Sequence, residues 1–335
     1  MFTVVCAKLP KAWPRELLCS TALAAALLAI STLCAAQPYP AKPILLVMPL
    51  QAGSAVDAMI RIVAQKMGDD MGRAIVIENQ PGAAGVIGAE RVKRAPPDGY
   101  TLGALNDSIL TMIPNIRPVS YDPVKDYAPV SVVAGITWVL VSNNDLPVKT
   151  VPELIAYAKA RPGKLDYSSG GIGSPQHVAM EAFKAATGIY AVHIPYRGAT
   201  QAALDVITNQ VQIHFSALSI VLPHISAGRM RALGVPSESR SPLLPNVPTM
   251  AEAGLRGFEW RTWASIVAPL GTPQPVLDRL NAETIKAVAA PEVREKLVAQ
   301  GFEPIGSAPD KVIQMTQDGL KRMAVVVKRA GIQAE

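Results

Sequence analysis

Two segments of the chain combine glycine with a helix-capping serine, a combination that suits the binding of an anion. The first segment, Pro49–Asp57, contains Gly53, then Ser54, and then Asp57 three residues after that serine. A Ser-x-x-Asp pattern is a capping box, so it predicts a helix that begins just after Ser54. The free N–H groups of such a helix start can bind a carboxylate. Asp57 has two interpretations, a residue of the ligand site or a residue that only caps the helix.

The second segment, Ser168–His177, has a similar arrangement. Gly173 and Ser174 precede Pro175, and proline is favoured at the first position of a helix. The N–H groups of this second helix start are again expected to be free for an anion. His177 lies in the first turn, where it could donate a hydrogen bond to a carboxylate or serve only in packing.

Two further loops precede predicted helices. Asn79–Gly88 spaces its glycines as G-x-x-G-x-x-G, unlike the G-x-G-x-x-G of dinucleotide-binding loops, and it lacks a Lys-Ser/Thr ending. Tight turning of the backbone is therefore favoured over nucleotide binding. The loop Pro195–Thr200 supplies a phenol from Tyr196, a guanidinium from Arg197 and the hydroxyl of Thr200. Arg197 could bind an anion or simply lie in solvent.

Patterns for catalysis and metal binding are poor in this sequence. It contains no G-x-S-x-G, H-E-x-x-H, C-x-x-C or P-loop motif. Ser174, His177 and Asp57 could be drawn as a triad. However, Ser174 and His177 lie three residues apart at one helix start, where capping and anion contact explain both. We therefore predict no enzymatic activity, no metal and no cofactor.

Residues 1–36 have the three parts of a secretory signal peptide. Basic residues precede the apolar stretch Leu17–Leu33, and the small residues Ala35 and Ala36 form a cleavage site. We predict cleavage near Ala36-Gln37 and a mature protein in the periplasm. A membrane anchor is the alternative, but the apolar stretch is barely long enough to span a bilayer. All three cysteines lie in this segment, so the mature protein is expected to contain neither a disulfide nor a thiol nucleophile.

The net charge and the order of the predicted strands and helices indicate the class of protein. The formal net charge of +6 comes without runs of Lys or Arg, so it favours small anions and not nucleic acid. Short apolar runs alternate with amphipathic stretches, a pattern typical of α/β proteins. This series restarts near residue 141, which predicts two similar lobes, each a sheet flanked by helices. One long strand is predicted at Ser131–Val141.

The helices predicted after residue 273 are expected to return to the first lobe. The second lobe is then an insertion in the first: lobe 1 comprises 37–140 with 236–335, and lobe 2 comprises 141–235. In open parallel sheets, ligands bind outside the carboxyl ends of the strands. The four loops described above should therefore face a shared cleft.

Five ordered segments carry a family resemblance. They are VIENQPGAAGVIGAERVKRAPPDGYTL (76–102), GIGSPQHVAMEAFKAATG (171–188), HIPYRGATQAALDVI (193–207), LPHISAGRMRALGV (222–235) and LPNVPTMAEAGLRGFE (244–259). Through them nearly all of the mature chain resembles the tripartite tricarboxylate transporter receptors, the Bug or TctC family. The resemblance implies a two-lobed periplasmic binding protein of the Venus flytrap type. Such a receptor closes on a small organic carboxylate and delivers it to a membrane permease.

The resemblance also implies which positions meet the ligand. Together with the loop analysis, it predicts a set of ligand-binding residues at Gly53, Ser54, Val56, Asp57, Asn79, Gly82, Asn106, Ser169, Gly173, Ser174, His177, Gly198, Ala199, Thr200 and Ser216.

Two departures from the family pattern bear on the ligand. Family members commonly have Asp or Asn after strand 211–215, where this chain has Ser216, and usually have Gly and a hydroxyl where it has Ser54 and Val56. An ammonium group needs an acidic partner, so the departures disfavour an amino-acid ligand. They permit a more apolar carboxylate, such as an aromatic or branched acid, and a dicarboxylate is also a candidate.

Two other functions remain open from the sequence. The receptor could present its ligand to a sensor kinase instead of a permease. Alternatively, the protein could be an exported hydrolase that uses Ser174 or His177. We expect a monomer.

Overall fold

The computed structural model describes residues 39–333, so the predicted signal peptide lies outside the described residues. A mixed sheet of six strands forms the first lobe. Its strands are β1 (Ile44–Met48), β2 (Ile75–Asn79), β3 (Thr101–Asn106), β4 (Tyr127–Ile136), β10 (Thr262–Pro269) and β11 (Phe302–Pro304). They lie in the order β11-β4-β10-β3-β1-β2. β1 pairs in parallel with β2 and β3, whereas β10 is antiparallel to β3 and β4.

A second sheet of five strands forms the other lobe. Its strands are β5 (Trp138–Ser142), β6 (Asp166–Ser169), β7 (Val192–Pro195), β8 (Ile213–Ala217) and β9 (Arg231–Gly234). Their order is β7-β6-β8-β5-β9. β6 is parallel to both of its neighbours, and β5 is antiparallel to both of its own. All five strands lie between β4 and β10 in the chain, so this lobe is an insertion in the first.

Helices flank both sheets. Those of the first lobe are α1 (Ala55–Met71), α2 (Val86–Arg94), α3 (Ile113–Ile116), α8 (Gln274–Ala289), α9 (Pro291–Ala299) and α10 (Pro309–Ala330). Those of the second are α4 (Val151–Ala160), α5 (Pro175–Thr187), α6 (Ala199–Ile207) and α7 (Leu218–Ser226). In the part of the chain that the structure describes, no helix combines the length and apolar character needed to cross a membrane.

The chain passes from the first sheet to the second at Thr137. The single strand predicted at Ser131–Val141 is therefore wrong: β4 ends at Ile136 and pairs with β10, while β5 begins at Trp138 and pairs with β8. Thr137 is hydrogen-bonded on both sides of this break. Its N–H donates to the carbonyl of Gly301 at 3.1 Å, and its own carbonyl accepts from the N–H of Leu218 at 2.8 Å. One continuous β-branched run in the sequence therefore forms strands of two different sheets.

The centre of the first lobe contains a strand that we did not predict. Every residue of β10 is buried, and this strand lies between β3 and β4. Trp263 and Val267 of β10 pack with Leu105 and Val132 in one hydrophobic cluster. A separate cluster in the second lobe includes Val139 and Val221. Each lobe therefore has its own apolar core.

Candidate functional site

A cavity of about 640 Å³ lies between the two sheets. It is lined by residues from the stretches 49–56, 81–85, 170–176 and 196–199, and by Asn106, Ser108, Arg117, Ile136, Trp138, Ala217, Ile220 and Thr262. The four stretches follow the carboxyl ends of β1, β2, β6 and β7, where an open parallel sheet places its ligands. Both lobes thus contribute to one cavity.

Helices of both lobes begin in the wall of this cavity, among them α1, α5 and α6. At the start of α1, the Ser54 hydroxyl accepts a hydrogen bond from the N–H of Asp57 at 3.2 Å. At the start of α5, the Ser174 hydroxyl accepts one from the N–H of His177 at 3.4 Å. α6 begins after Gly198, which has no capping side chain. Because helix starts carry partial positive charge and free N–H donors, this wall favours an anion.

Asp57 stabilises the start of α1 from outside the cavity. Its side chain is buried and accepts hydrogen bonds from the N–H of Gly53 at 2.9 Å, from Arg61 at 3.0 Å and from Asn79 at 2.9 Å. Burial alone would raise the pKa of Asp57, but the hydrogen bonds from Arg61, Asn79 and Gly53 lower it overall. Asp57 is therefore an ionised residue that fixes two loops of the first lobe.

A stack of rings stabilises the second start. The N–H of Gly173 donates to Nδ1 of His177 at 3.2 Å, and the His177 ring lies 4.3 Å from that of His193. The His193 ring lies 4.8 Å from that of Tyr167. Burial lowers the pKa of His177, and burial together with the nearby charge of His177 lowers the pKa of His193 to about 3. Both imidazoles are thus neutral near pH 7.

About half of the predicted ligand-binding residues line the cavity. Those that do are Ser54, Val56, Gly82, Asn106, Ser174, Gly198 and Ala199. The others lie behind or beside the wall, and they are Gly53, Asp57, Asn79, Ser169, Gly173, His177, Thr200 and Ser216. Ser216 is fully buried in β8, and its hydroxyl donates to the carbonyl of Ala217 at 3.1 Å. The sequence located the loops but not which side chains face inward.

Several residues that line the cavity were not predicted from the sequence. Ile136 and Trp138 flank the crossing at Thr137, and Nε1 of Trp138 donates to the Thr262 hydroxyl at 2.7 Å. Arg117 follows α3, more than ten residues after the end of β3. One signal was available: a ligand of an open sheet meets loops after every parallel strand, and the loop after β3 contains Arg117.

The two lobes also contact each other directly around the cavity. The Thr200 hydroxyl donates to the carbonyl of Gly53 at 3.1 Å, and the Ser108 hydroxyl donates to the carbonyl of Gly173 at 2.9 Å. Each bond joins one lobe to the other. Gly198 lies so close to Gln51 that a Cβ at this position would be 1.9 Å from the side-chain oxygen. A larger residue at this position would require the flexible Gln51 side chain to move.

A known protein family matches most of the chain. The model of the tripartite tricarboxylate transporter family receptor matches residues 59–332. The chain belongs to this family. Its members are periplasmic solute-binding proteins with two lobes, which agrees with the two sheets and with the family expected from the sequence.

Individual relatives extend this result. The chain is 38% identical over 286 residues to the UPF0065 protein in the tcbD-tcbE intergenic region of Pseudomonas sp. (strain P51), covering 85% of each chain. It is 33% identical to R. palustris Rpa4515 with adipate, with a TM-score of 0.85 over 88% of this chain and 99% of that one. It is 28% identical to MatC (Rpa3494) from Rhodopseudomonas palustris with bound malate, with a TM-score of 0.82 over 86% and 100%.

Proposed function

We propose that this protein is a periplasmic receptor that captures a small organic carboxylate in the cavity between its lobes. One observation carries the proposal: helix starts from both lobes line one cavity, and none of its described lining residues is acidic. Two relatives with solved structures contain adipate and malate, which are both dicarboxylates. The predicted signal peptide supports export. The proposed lobes are residues 37–137 with 236–335, and 138–235, with the first boundary moved from residue 140 to the crossing at Thr137.

Binding and closure are coupled in this proposal. A carboxylate gains about 0.3–1 kcal/mol at one exposed helix start and up to ~2 kcal/mol at a partly buried one. A ligand that contacts the Ser54 and Ser174 helix starts together can do so only when the lobes are closed. It therefore stabilises the closed form by its difference in affinity for the two forms. A permease would then recognise the closed, loaded receptor, in keeping with the family.

The local chemistry supports binding without catalysis. The Ser174 hydroxyl caps α5, while Nδ1 of His177 accepts from Gly173 and its ring stacks on His193. Asp57 accepts from Gly53, Arg61 and Asn79 in the other lobe. A Ser-His-Asp relay needs these three side chains bonded in sequence. Their bonds are made elsewhere, so the hydrolase alternative has no support here.

A thermal-shift screen of mono-, di- and tricarboxylates, aromatic acids included, tests the proposal. A ligand present at 100 times its dissociation constant should add about 2.7 kcal/mol to the free energy of unfolding. Ser174→Ala should weaken binding of that ligand without altering any turnover. Ser239→Ala, which changes an exposed hydroxyl away from the cavity, is the matched control. Failure of every carboxylate to stabilise the protein would contradict the receptor function.

A further inference from the structure

Two arginines line the cavity, one from each lobe. Arg117 follows α3 in the first lobe, and Arg197 lies in the loop between β7 and α6 in the second. They are the charged residues among the described lining residues, since no Asp, Glu or Lys lines the cavity. A guanidinium group carries a positive charge. The cavity therefore has a positive charge on each side.

Two acidic side chains of the elements that form the wall are bonded outside the cavity. Asp57 is buried outside it and bonded to Gly53, Arg61 and Asn79. Asp205 accepts a hydrogen bond from the hydroxyl of Tyr196 at 2.6 Å. Neither lines the cavity. A ligand with an ammonium group would find no acidic partner, whereas a second anionic group would find a cation.

Both guanidinium groups have donors to spare. Arg117 donates from one nitrogen to the carbonyl of Ala83, a contact that fixes the side chain at the cavity wall. Arg197 is exposed and forms no hydrogen bond or ion pair with any residue that the structure describes. A guanidinium has five N–H donors in a planar fork, which matches the two oxygens of a carboxylate. Each arginine can therefore take one carboxylate.

The wall elsewhere includes large apolar side chains from both lobes. Ile136 and Trp138 lie at the crossing between the lobes, and Ile172 and Ile220 come from the second lobe. These side chains offer no hydrogen bond to a polar ligand centre apart from the indole N–H of Trp138, which is already bonded to Thr262. They suit a ligand with an apolar body.

We propose, on the basis of the function proposed above, that Arg117 and Arg197 determine specificity by each pairing with one anionic group of the ligand. The receptor then selects a dianion with an apolar middle over the monoanion of the same length. The helix starts favour any carboxylate, whereas the two arginines distinguish ligands by the number of their charges.

Calorimetric titration of the purified protein with matched probes tests this proposal. The probes are adipate against hexanoate, and terephthalate against 4-methylbenzoate, at pH 7 and low salt. We expect the better dicarboxylate to bind at least about tenfold more tightly than its monocarboxylate partner. Arg117→Gln and Arg197→Gln should each remove most of that preference and change monocarboxylate affinity by less than about threefold. Arg117→Lys and Arg197→Lys should restore part of it.

Arg94→Gln provides the matched control, because it removes one exposed cation outside the cavity and should leave both affinities unchanged. Equal binding of the two members of each pair to the wild type would overturn the specificity role while the carboxylate receptor stands. The same holds if the arginine variants weaken mono- and dicarboxylates by equal factors. If neither these probes nor malate and citrate bind, the receptor function and this inference fail together.

Discussion

The helix start at Ser54 in the first lobe and that at Ser174 in the second share the same capping geometry, yet different chemistry holds their loops. Behind Ser54 lies a charged network in which Asp57 accepts from Gly53, Arg61 and Asn79. Behind Ser174 lies a neutral stack in which Gly173 donates to His177 and His177 packs on His193. One cavity wall thus depends on a carboxylate remaining ionised, and the other depends on imidazoles remaining uncharged.

The two walls should therefore respond differently to pH and to substitution. The first lobe also contains Asp107, directly after β3 and between the lining residues Asn106 and Ser108. Asp107 is buried, and no side chain among the described residues donates a hydrogen bond to its carboxylate. Burial raises its pKa to about 8, against the opposing charge of Arg322. The first lobe therefore combines an acid that is stable when charged with one that is stable when neutral.

The largest expected effect concerns Asp107. Its folded pKa of about 8 lies above the ordinary value of 3.8, so stability is lost as pH rises between these values. By pH 7 the loss is on the order of 4 kcal/mol, at 1.36 kcal/mol per unit. Asp107→Asn should remove this dependence and stabilise the protein near neutrality. Urea denaturation at pH 5 and pH 7.5 measures the change in unfolding free energy. Asp278→Asn, at an exposed residue, is the control. Parallel pH dependences of the variant and the wild type would refute the prediction.

Asp57→Asn should give the next largest effect. The amide keeps the size of the side chain but loses its charge, so the bonds to Arg61 and Gly53 weaken and the unfolding free energy falls by about 2 kcal/mol. Since the pKa of Asp57 is lowered by folding, the contribution is present above the ordinary pKa and is lost as pH falls below it. Denaturation at pH 7 checks the size. An unchanged midpoint would mean that the network does not hold this wall.

The ring stack should make the second lobe sensitive to mild acid. Folding lowers the pKa of His177 and His193, so stability is complete above about pH 6.5 and falls as pH decreases below it. His193 is partly exposed, so we expect a loss on the order of 1 kcal/mol at pH 5.5. His193→Phe keeps a ring in the stack and should abolish most of this loss. His224 is half-buried outside the stack, and burial and Arg229 lower its pKa, so His224→Phe should remove only its own contribution and leave that of the stack in place.

Thr200→Val should give the smallest effect. It removes the exposed hydrogen bond from Thr200 to the carbonyl of Gly53, which joins the two lobes beside the cavity. The bond contributes about 0.5–1 kcal/mol to closure, so ligand affinity should decrease by about two- to fivefold. Thr208→Val, at the other end of α6, is the control. A larger loss of affinity in the control would show that the effect is not due to the contact between lobes.

The sequence predicts local features of the site well, because they depend on near neighbours. Ser54 and Ser174 cap helices whatever the rest of the chain does. The ring stack could not be predicted, since it requires β6, β7 and α5 to bring Tyr167, His193 and His177 together.

The same reason explains one wrong prediction and one question that the sequence left open. Whether the run Ser131–Val141 forms one strand or two depends on β10 and β8, which follow it by tens of residues. Asp57 could face a ligand or the interior until the positions of Arg61 and Asn79 were known. Arg117 comes only after helix α3, so the rule about loops after parallel strands does not by itself single it out.

The residues at the crossing between the lobes form part of the cavity wall. Thr137 is bonded to Gly301 on one side and to Leu218 on the other, and its two neighbours along the chain, Ile136 and Trp138, line the cavity. In the proposed receptor, a bulky ligand would rest on Ile136 and Trp138, which flank the residue at which the chain crosses between the lobes. The length of that ligand would then set how far the two lobes can approach each other when the receptor closes.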